Sequence, residues 1–157
     1  MSTRGAVGFI KNGIEKIGYN HFDSYPTGLG MGIIIFLKKN NIEKLNKIFD
    51  EIILEGDNEC FTEENDFNMK FSDSSDFMKD SLFCEYAYII NLDTNMLEYY
   101  KGFNENPNEK GRYAKYTIDD EKKYYGVKLM QEIPLQDIIE GKYKTDNKKG
   151  FILKIGE

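Results

Sequence analysis

The feature that most constrains the fold is a tight-turn signal between two β-rich runs near the N-terminus. Residues 4–10 (RGAVGFI) and 14–20 (IEKIGYN) flank the sequence Lys11-Asn12-Gly13. Asn and Gly both tolerate the positive φ angles of a two-residue hairpin turn. This pair between two apolar runs therefore predicts a β-hairpin.

Three glycines lie inside these runs, at Gly5, Gly8 and Gly18. Glycine weakens a strand unless another backbone or a ligand must approach it closely. We therefore expect the hairpin to form one wall of a site.

The next part of the chain predicts two helices. Residues 30–38 are apolar almost all round, which indicates a buried helix, with a buried strand as the alternative. Asn41 can cap the following helix, because its side-chain oxygen can accept from a free backbone N–H of the first turn. Apolar residues then recur at the helical period, which predicts an amphipathic helix over 42–54 that ends before Gly56.

Strand signals dominate the second half of the chain. Residues 83–92 and 96–103 are rich in Tyr, Ile and Leu around a turn at 93–95, which predicts a second hairpin. Both faces of its first strand are mostly apolar, so we expect that strand to be central and covered on both sides. The elements predicted after it are a polar loop at 104–123, a strand at 124–135, a short helix in LQDIIEG at 135–141 and a last strand at 151–155.

Length and element order together indicate a single α+β domain. The chain has 157 residues, which is within the usual range for one domain, so we expect one domain over 1–157. The predicted architecture is an antiparallel sheet built from two β-hairpins and C-terminal strands, packed against two central helices.

Charge is distributed unevenly along the chain. The formal net charge is −6, and residues 43–80 hold twelve acidic residues against four lysines. Affinity for nucleic acid phosphates needs clustered cations, so binding to duplex DNA is not expected. A basic surface of a host protein is an expected partner, with Glu59, Glu63, Glu64 and Asp66 as contact candidates; a solvated acidic surface is the alternative.

Targeting signals and metal motifs are not found in the sequence. No apolar stretch has the length of a signal peptide core or a membrane span, which predicts a cytoplasmic protein that binds no membrane. Cys60 and Cys84 are the only cysteines. They form no CxxC or Cys/His cluster, so we expect reduced thiols, Cys84 on a strand and Cys60 in an acidic loop, with no metal and no cofactor.

Groups with catalytic potential gather at the open end of the first hairpin. Because its strands run antiparallel, Ser2 is expected beside Asn20, His21 and Asp23. If Met1 is removed, Ser2 gains a free α-amine that can act as general base toward its own hydroxyl. His21, the only histidine, can serve as a base oriented by Asp23 or as a structural residue.

This opening resembles the N-terminal nucleophile hydrolases, specifically the penicillin V acylase and bile salt hydrolase branch. In that branch a nucleophile follows the initiator methionine, and a β-hairpin ends in an Arg-Asn-x-Asp signature. The resemblance covers about the first 25 residues. It implies hydrolysis of a small amide-containing substrate, with Ser2 as nucleophile, Asn20 as the signature asparagine and Asp23 holding the α-amine. Ser2 replaces the cysteine of that branch, and Tyr19 stands in place of its arginine.

A second resemblance is to a small uncharacterised family found in bacteria and their phages. It rests on the strings STRGAVGF, YNHFDSYP and DSLFCEYAYIINLDT and covers most of the chain. It implies the biology of mobile elements, in which small acidic proteins often inhibit host defence machinery. A non-catalytic inhibitor of a host defence protein, acting through an acidic surface, is therefore the alternative to the hydrolase.

Further polar residues are candidates for ligand binding. Arg4 can clamp a carboxylate or phosphate, or pair with Asp23. Ser24 and Tyr25 lie in the same loop, where hydrogen bonds within a turn are the alternative role for Asn20, Asp23 and Ser24. Arg112 belongs to a strip that could stack bases, which makes nucleotide sequestration a third hypothesis, with core packing of the rings as the alternative. The tyrosines of that strip are Tyr99, Tyr100, Tyr113, Tyr116, Tyr124 and Tyr125.

Overall fold

A computed structural model describes residues 2–146 and 150–156 of the chain. In chain order its elements are β1 (Gly5–Lys11), β2 (Ile14–Asn20), α1 (Met31–Lys38), α2 (Ile42–Glu51), β3 (Ile53–Leu54), β4 (Phe61–Thr62), β5 (Asp66–Phe67), β6 (Lys70–Phe71), β7 (Tyr86–Asn91), β8 (Met96–Lys101), β9 (Lys128–Pro134), α3 (Leu135–Ile139), β10 (Tyr143–Asp146) and β11 (Phe151–Lys154). A π-helical turn at Pro26–Gly30 precedes α1, and a 3₁₀ helix covers Ser75–Lys79. No helix in the described ranges has the length and apolarity needed to cross a membrane.

The elements are organised around a five-stranded sheet with the strand order β2-β1-β7-β8-β9. Both predicted hairpins are confirmed, since β1 pairs antiparallel with β2 and β7 with β8. At the first turn, Asn12 and Gly13 have φ angles of 54° and 74°. A parallel pairing of β1 with β7 joins the two hairpins, so the sheet is antiparallel except at this one junction.

The two central helices cover one face of this sheet. Alternate strand residues point to that face and pack with apolar residues of α1 and α2. The core includes Val7, Phe9, Tyr88, Ile90, Leu97 and Tyr99 from the strands, and Ile33, Leu37, Leu45 and Phe49 from the helices. Burying one such side chain stabilises the fold by about 1.5–3 kcal/mol. The predicted α+β class is confirmed.

The 3₁₀ helix and loop segments cover the opposite face of the sheet. Ala87, Ile89 and Tyr100 from the strands pack there against Met78 and Tyr113. Neighbouring residues of β7 therefore lie in different cores, as the apolar pattern on both of its faces predicts. Tyr88 and Ile89 point to opposite faces, and both are fully buried.

Helix ends follow the prediction in one case and differ in the other. The helix predicted at 30–38 is confirmed as α1. Asn41 caps α2 as expected, accepting from the backbone N–H of Lys44 at 2.8 Å. However, α2 ends at Glu51 and not at residue 54, because Ile52 is extended, with φ −65° and ψ 129°. The chain then continues into β3, which pairs with β6.

The strands of the second half are shorter than the sequence predicts. The observed strands β7, β8 and β9 lie inside the predicted ranges 83–92, 96–103 and 124–135. Cys84 is not on a strand as predicted; it lies in a turn before β7, and its N–H donates to the Asp80 carbonyl at 2.8 Å. The helix after β9 and the last strand are confirmed as α3 and β11, whereas β10, the partner of β11, is not predicted.

Candidate functional site

A cleft with a volume of about 780 Å³ opens beside the end of β2. It is lined by residues 18–23 and 25, by the π-helical turn, and by residues 57–63. The last group belongs to the acid-rich residues 43–80, which we call the acidic segment. The cleft therefore lies where the first hairpin meets the acidic segment.

Two glycines permit the close packing around this cleft. A Cβ on Gly18 would lie 2.2 Å from the Cβ of Cys60, so glycine there lets the acidic segment pack directly on β2. A Cβ on Gly28 would lie 2.1 Å from the Asp23 carbonyl oxygen. Of the strand glycines, Gly18 thus lines the cleft as expected. Gly8 instead serves packing within the hairpin, since its Cβ would lie 2.1 Å from the Lys16 carbonyl oxygen.

Hydrogen bonds hold the loop after β2 in one shape. The Asn20 side-chain amide donates to the Phe22 carbonyl at 2.6 Å and to Ser24 Oγ at 2.8 Å. Ser24 is fully buried, and the Tyr88 hydroxyl donates to its carbonyl at 2.8 Å. Asn20 and Ser24 therefore stabilise the loop locally, which leaves His21, Phe22 and Asp23 exposed at its tip.

Four aromatic rings form a row beside the cleft. They belong to Phe77, Tyr19, His21 and Phe22, and we call them the aromatic row. Successive ring centres lie 5.1, 5.8 and 4.5 Å apart. The Tyr19 hydroxyl is 2.7 Å from His21 Nδ1, and so these two rings are fixed relative to each other. Tyr19, His21 and Phe22 all line the cleft.

Four carboxylates also line the cleft. They belong to Asp23, Asp57, Glu59 and Glu63, and we call them the cleft carboxylates. No lysine or arginine is among the described residues that line it. Within the described chain, no lysine or arginine forms an ion pair with any of the four. Among the described residues, no cationic side chain therefore compensates the negative charge of the cleft.

Other acidic residues of the same segment have cationic partners. Glu55 pairs with Lys70 at 2.8 Å. The predicted contact residue Asp66 does not line the cleft and pairs with Lys39 at 3.0 Å. Glu64 is exposed and also lies outside the cleft lining, next to Glu63, which is part of it.

The N-terminal residues line a different cavity. Ser2 and Arg4 lie with Phe83 and Glu85 around a space of about 460 Å³. The Arg4 guanidinium carbon is 5.6 Å from the centre of the Phe83 ring. The start of the chain does approach the loop after β2, since the Ser24 N–H donates to the Thr3 carbonyl at 3.1 Å. Ser2 is nevertheless not among the residues that line the cleft, and Met1 lies outside the described residues.

Arg112 pairs with a buried carboxylate on the face of the sheet that α1 and α2 do not cover. Its guanidinium forms a two-pronged ion pair with Glu98, and its Nη2 donates to Oε2 at 2.9 Å. The Glu98 side chain is only 5% exposed. It also accepts from the Tyr100 hydroxyl at 2.7 Å and from the Asn91 amide at 3.1 Å. This ion pair engages both terminal nitrogens of Arg112 with Glu98.

Three of the six rings of the predicted stacking strip belong to the core. Tyr99, Tyr100 and Tyr113 are at most 4% exposed, whereas Tyr116 is 44% exposed. The Tyr99 hydroxyl donates to the Gly150 carbonyl at 2.7 Å. Core packing, the alternative given for this strip, thus accounts for the first three rings.

Both cysteines are buried thiols. Burial raises the pKa of Cys60 from 9.0 to about 12, and it also raises the pKa of Cys84. Cys60 lines the cleft, but a thiol with a raised pKa is a poor nucleophile at neutral pH. In the described chain, no group of three His, Cys, Asp or Glu residues has the arrangement of a metal site.

The structure brings together two groups of candidates that the sequence gives separately. Asn20, His21, Asp23 and Tyr25 come from the hairpin, and Glu59 and Glu63 from the acidic segment. Sequence reasoning missed Asp57, Tyr19 and Phe22 as lining residues. The sequence signal that could have indicated them is their position next to predicted site residues in the chain.

No protein-family model, curated protein or solved structure matched the chain at a significant level. The functional argument therefore rests on the geometry of the cleft.

Proposed function

We propose that the protein is a non-catalytic binding protein that holds a basic region of a partner protein in the cleft. One observation carries the proposal: the cleft carboxylates have no lysine or arginine among the described residues around them. A positively charged region of a partner supplies the opposite charge that these carboxylates lack among the described residues, so its binding is favoured.

The size of the cleft suits a side chain or a short peptide segment. Its volume of about 780 Å³ lies within the usual range of ligand sites. The acidic character also extends beyond the cleft, because residues 43–80 hold twelve acidic residues against four lysines. A partner with an extended basic surface fits this distribution better than a small cation does.

A charged surface of this kind favours fast and selective association with a partner. An exposed ion pair contributes about 0.2–1 kcal/mol, so several pairs are needed for useful affinity. Complementary charge accelerates association and makes it sensitive to salt. We therefore expect binding that weakens strongly as the ionic strength rises.

The test uses a fluorescent decapeptide of alternating lysine and serine, with a glutamate and serine peptide as the negative probe. Fluorescence anisotropy should show binding of the basic peptide at low salt and little binding at about 0.5 M salt. The double variant Glu59→Lys/Glu63→Lys should abolish that binding.

The matched control is Glu105→Lys/Glu109→Lys. These two exposed glutamates have the same spacing, make the same charge change and lie outside the cleft. They should weaken binding only slightly. Equal losses in the two double variants, or no binding of the basic peptide to the unaltered protein, would contradict the proposal.

Inhibition of a host defence protein is the biological form that the phage resemblance implies for this binding, and it stays a prediction. The amide hydrolase hypothesis also stays a prediction. Intact mass tests its first requirement, because retained Met1 would block the amine of Ser2. Loss of amide hydrolysis in Ser2→Ala, with an unchanged melting temperature, would favour the hydrolase over the binding protein.

A further inference from the structure

The aromatic row gives the cleft an exposed apolar surface, which its charge does not explain. Phe22 is 66% exposed and Tyr19 37% exposed, although both are large and apolar. The Asn20 amide holds the Phe22 backbone through its carbonyl, and the Phe22 ring and the Tyr19 hydroxyl both contact His21. The loop therefore presents aromatic surface to solvent inside an acidic cleft.

A ligand that satisfies both features needs a positive charge and a flat apolar face. A guanidinium has both, because it is planar, weakly hydrated and able to stack on aromatic rings. Its fork of N–H donors also matches the two oxygens of a carboxylate. An ammonium is compact and strongly hydrated, and it gains less from an exposed ring.

The chain itself contains a cation–π contact between an arginine and an exposed ring. The guanidinium carbon of Arg4 lies 5.6 Å from the centre of the exposed Phe83 ring, in the second cavity. In the cleft, aromatic rings and four carboxylates line the same space, and no arginine of the described chain is among the lining residues. An arginine from outside would meet both kinds of partner there.

We infer that the cleft selects arginine over lysine, with Phe22 and Tyr19 supplying the stacking surface and the cleft carboxylates supplying the acceptors. The inference rests on the proposed function and narrows the partner to an arginine-rich segment. Phe22 is then the main specificity residue, because it is 66% exposed and Tyr19 only 37%.

The experiment compares two decapeptides of alternating arginine and serine or lysine and serine, which have equal charge and length. Binding is measured by fluorescence anisotropy at about 0.15 M salt, where long-range attraction is partly screened. We expect the arginine peptide to bind about two- to fivefold more tightly, the preference that one exposed cation–π contact provides.

Variants then locate the preference. Phe22→Ala should bring the arginine peptide down to the affinity of the lysine peptide and leave the latter nearly unchanged. The control is Phe103→Ala, because Phe103 is also exposed, at 55%, but lines the second cavity. It should keep the full preference. Unchanged melting temperatures would establish that both variants are folded.

Each result decides a different statement. Equal affinities for the two peptides, both lost in Glu59→Lys/Glu63→Lys, would overturn the arginine preference and leave the proposed function standing. A preference that survives in Phe22→Ala would overturn the role given to this ring. Failure of both peptides to bind would overturn the proposed function and the inference together.

Discussion

Glu98 and the cleft carboxylates are chemically alike, but their surroundings differ completely. Glu98 is buried and accepts hydrogen bonds from Arg112, Tyr100 and Asn91. Asp57, Glu59 and Glu63 are exposed, and within the described chain no lysine or arginine pairs with them.

This difference separates a charge that serves the fold from charges that the proposed function assigns to a partner. Burying a carboxylate is costly unless donors compensate it, so Glu98 needs its three partners for the protein to fold. An exposed carboxylate stays hydrated, so the chain can fold without a protein partner for it. Substitutions at the two kinds of site should therefore change different measured quantities.

The largest loss of stability is expected for Glu98→Ala. The change leaves the Tyr100 hydroxyl and the Asn91 amide without their acceptor and removes the partner of Arg112. We expect the free energy of unfolding to fall by about 2–4 kcal/mol, measured by urea denaturation at pH 7. Glu64→Ala, at an exposed glutamate outside the cleft, is the control. A loss as small as that of the control would refute the structural role.

The pH dependence of stability gives a second check on Glu98. Burial raises its pKa, but the hydrogen bonds from Arg112, Tyr100 and Asn91 outweigh burial and hold the pKa below its ordinary value of 4.5. The folded state thus releases this proton more readily than the unfolded state. The contribution is complete above pH 4.5 and declines as the pH falls through the lowered pKa. The stability difference between the unaltered protein and Glu98→Gln should therefore shrink in acid; a difference that grows there would refute this assignment.

An intermediate loss is expected for Lys16→Met, which removes a cation that serves the fold. Lys16 Nζ donates to the carbonyls of Phe49 at 2.6 Å and Ile52 at 2.8 Å, at the end of α2. Methionine keeps most of the apolar stem but removes the ammonium donor from both carbonyls, so that the Phe49 carbonyl keeps only the Ile52 N–H at 3.3 Å. We expect a loss of about 1–3 kcal/mol in the free energy of unfolding by urea denaturation. Lys47→Met should change it by less than about 0.5 kcal/mol, because Lys47 has only an exposed pair with Glu43. Equal effects would contradict the capping role.

The fold could be predicted from the sequence where local patterns decide it. Asn12-Gly13 predicts the first hairpin, and the apolar run before Lys38 predicts α1. No local pattern states which strands of different hairpins pair, so the parallel pairing of β1 with β7 could not be predicted. Element ends failed where tertiary contacts decide them, as at Ile52, where α2 ends early.

The candidate site could be predicted only in parts. Asn20, His21 and Asp23 belong to a loop fixed by local chemistry, whereas Glu59 and Glu63 follow from the charge of their segment. Packing of Cys60 on Gly18 brings the two parts together, and that contact spans about forty residues of chain. The direction of the N-terminal segment, which carries Ser2 into the second cavity, depends on similar long-range packing.

A smaller loss of stability is expected for Asp93→Asn. Asp93 is exposed like the cleft carboxylates, but unlike them it has, within the described chain, hydrogen-bond partners that serve the fold. Its carboxylate accepts from the backbone N–H groups of Asn12 at 2.6 Å and Gly13 at 3.0 Å, and so ties the two hairpin turns together. These hydrogen bonds, first from Gly13 and then from Asn12, lower the pKa of Asp93. Its contribution to stability should therefore disappear as the pH falls through that lowered pKa.

Thermal denaturation of Asp93→Asn against Asp120→Asn, an exposed aspartate of the polar loop, is the measurement. We expect a lower melting temperature for Asp93→Asn at pH 7 and equal values in strong acid. Equal melting temperatures at pH 7 would show that the turn-to-turn contact adds nothing.

The smallest effect on stability is expected at the cleft itself. Glu59→Gln/Glu63→Gln removes like charges that have no partner, so the free energy of unfolding should stay within about 0.5 kcal/mol or rise slightly. Urea denaturation beside Glu105→Gln/Glu109→Gln checks this expectation. A large loss would place these glutamates with Glu98 among the residues that serve the fold.

The most direct test of the central claim is a nuclear magnetic resonance titration of the labelled protein with the arginine and serine decapeptide. Amide shifts report where the peptide binds without any substitution. The cleft proposal predicts changes concentrated at residues 18–29 and 57–63, with residues 105–123 unaffected. Changes spread over the acidic surface, or confined to the second cavity around Arg4 and Phe83, would contradict it.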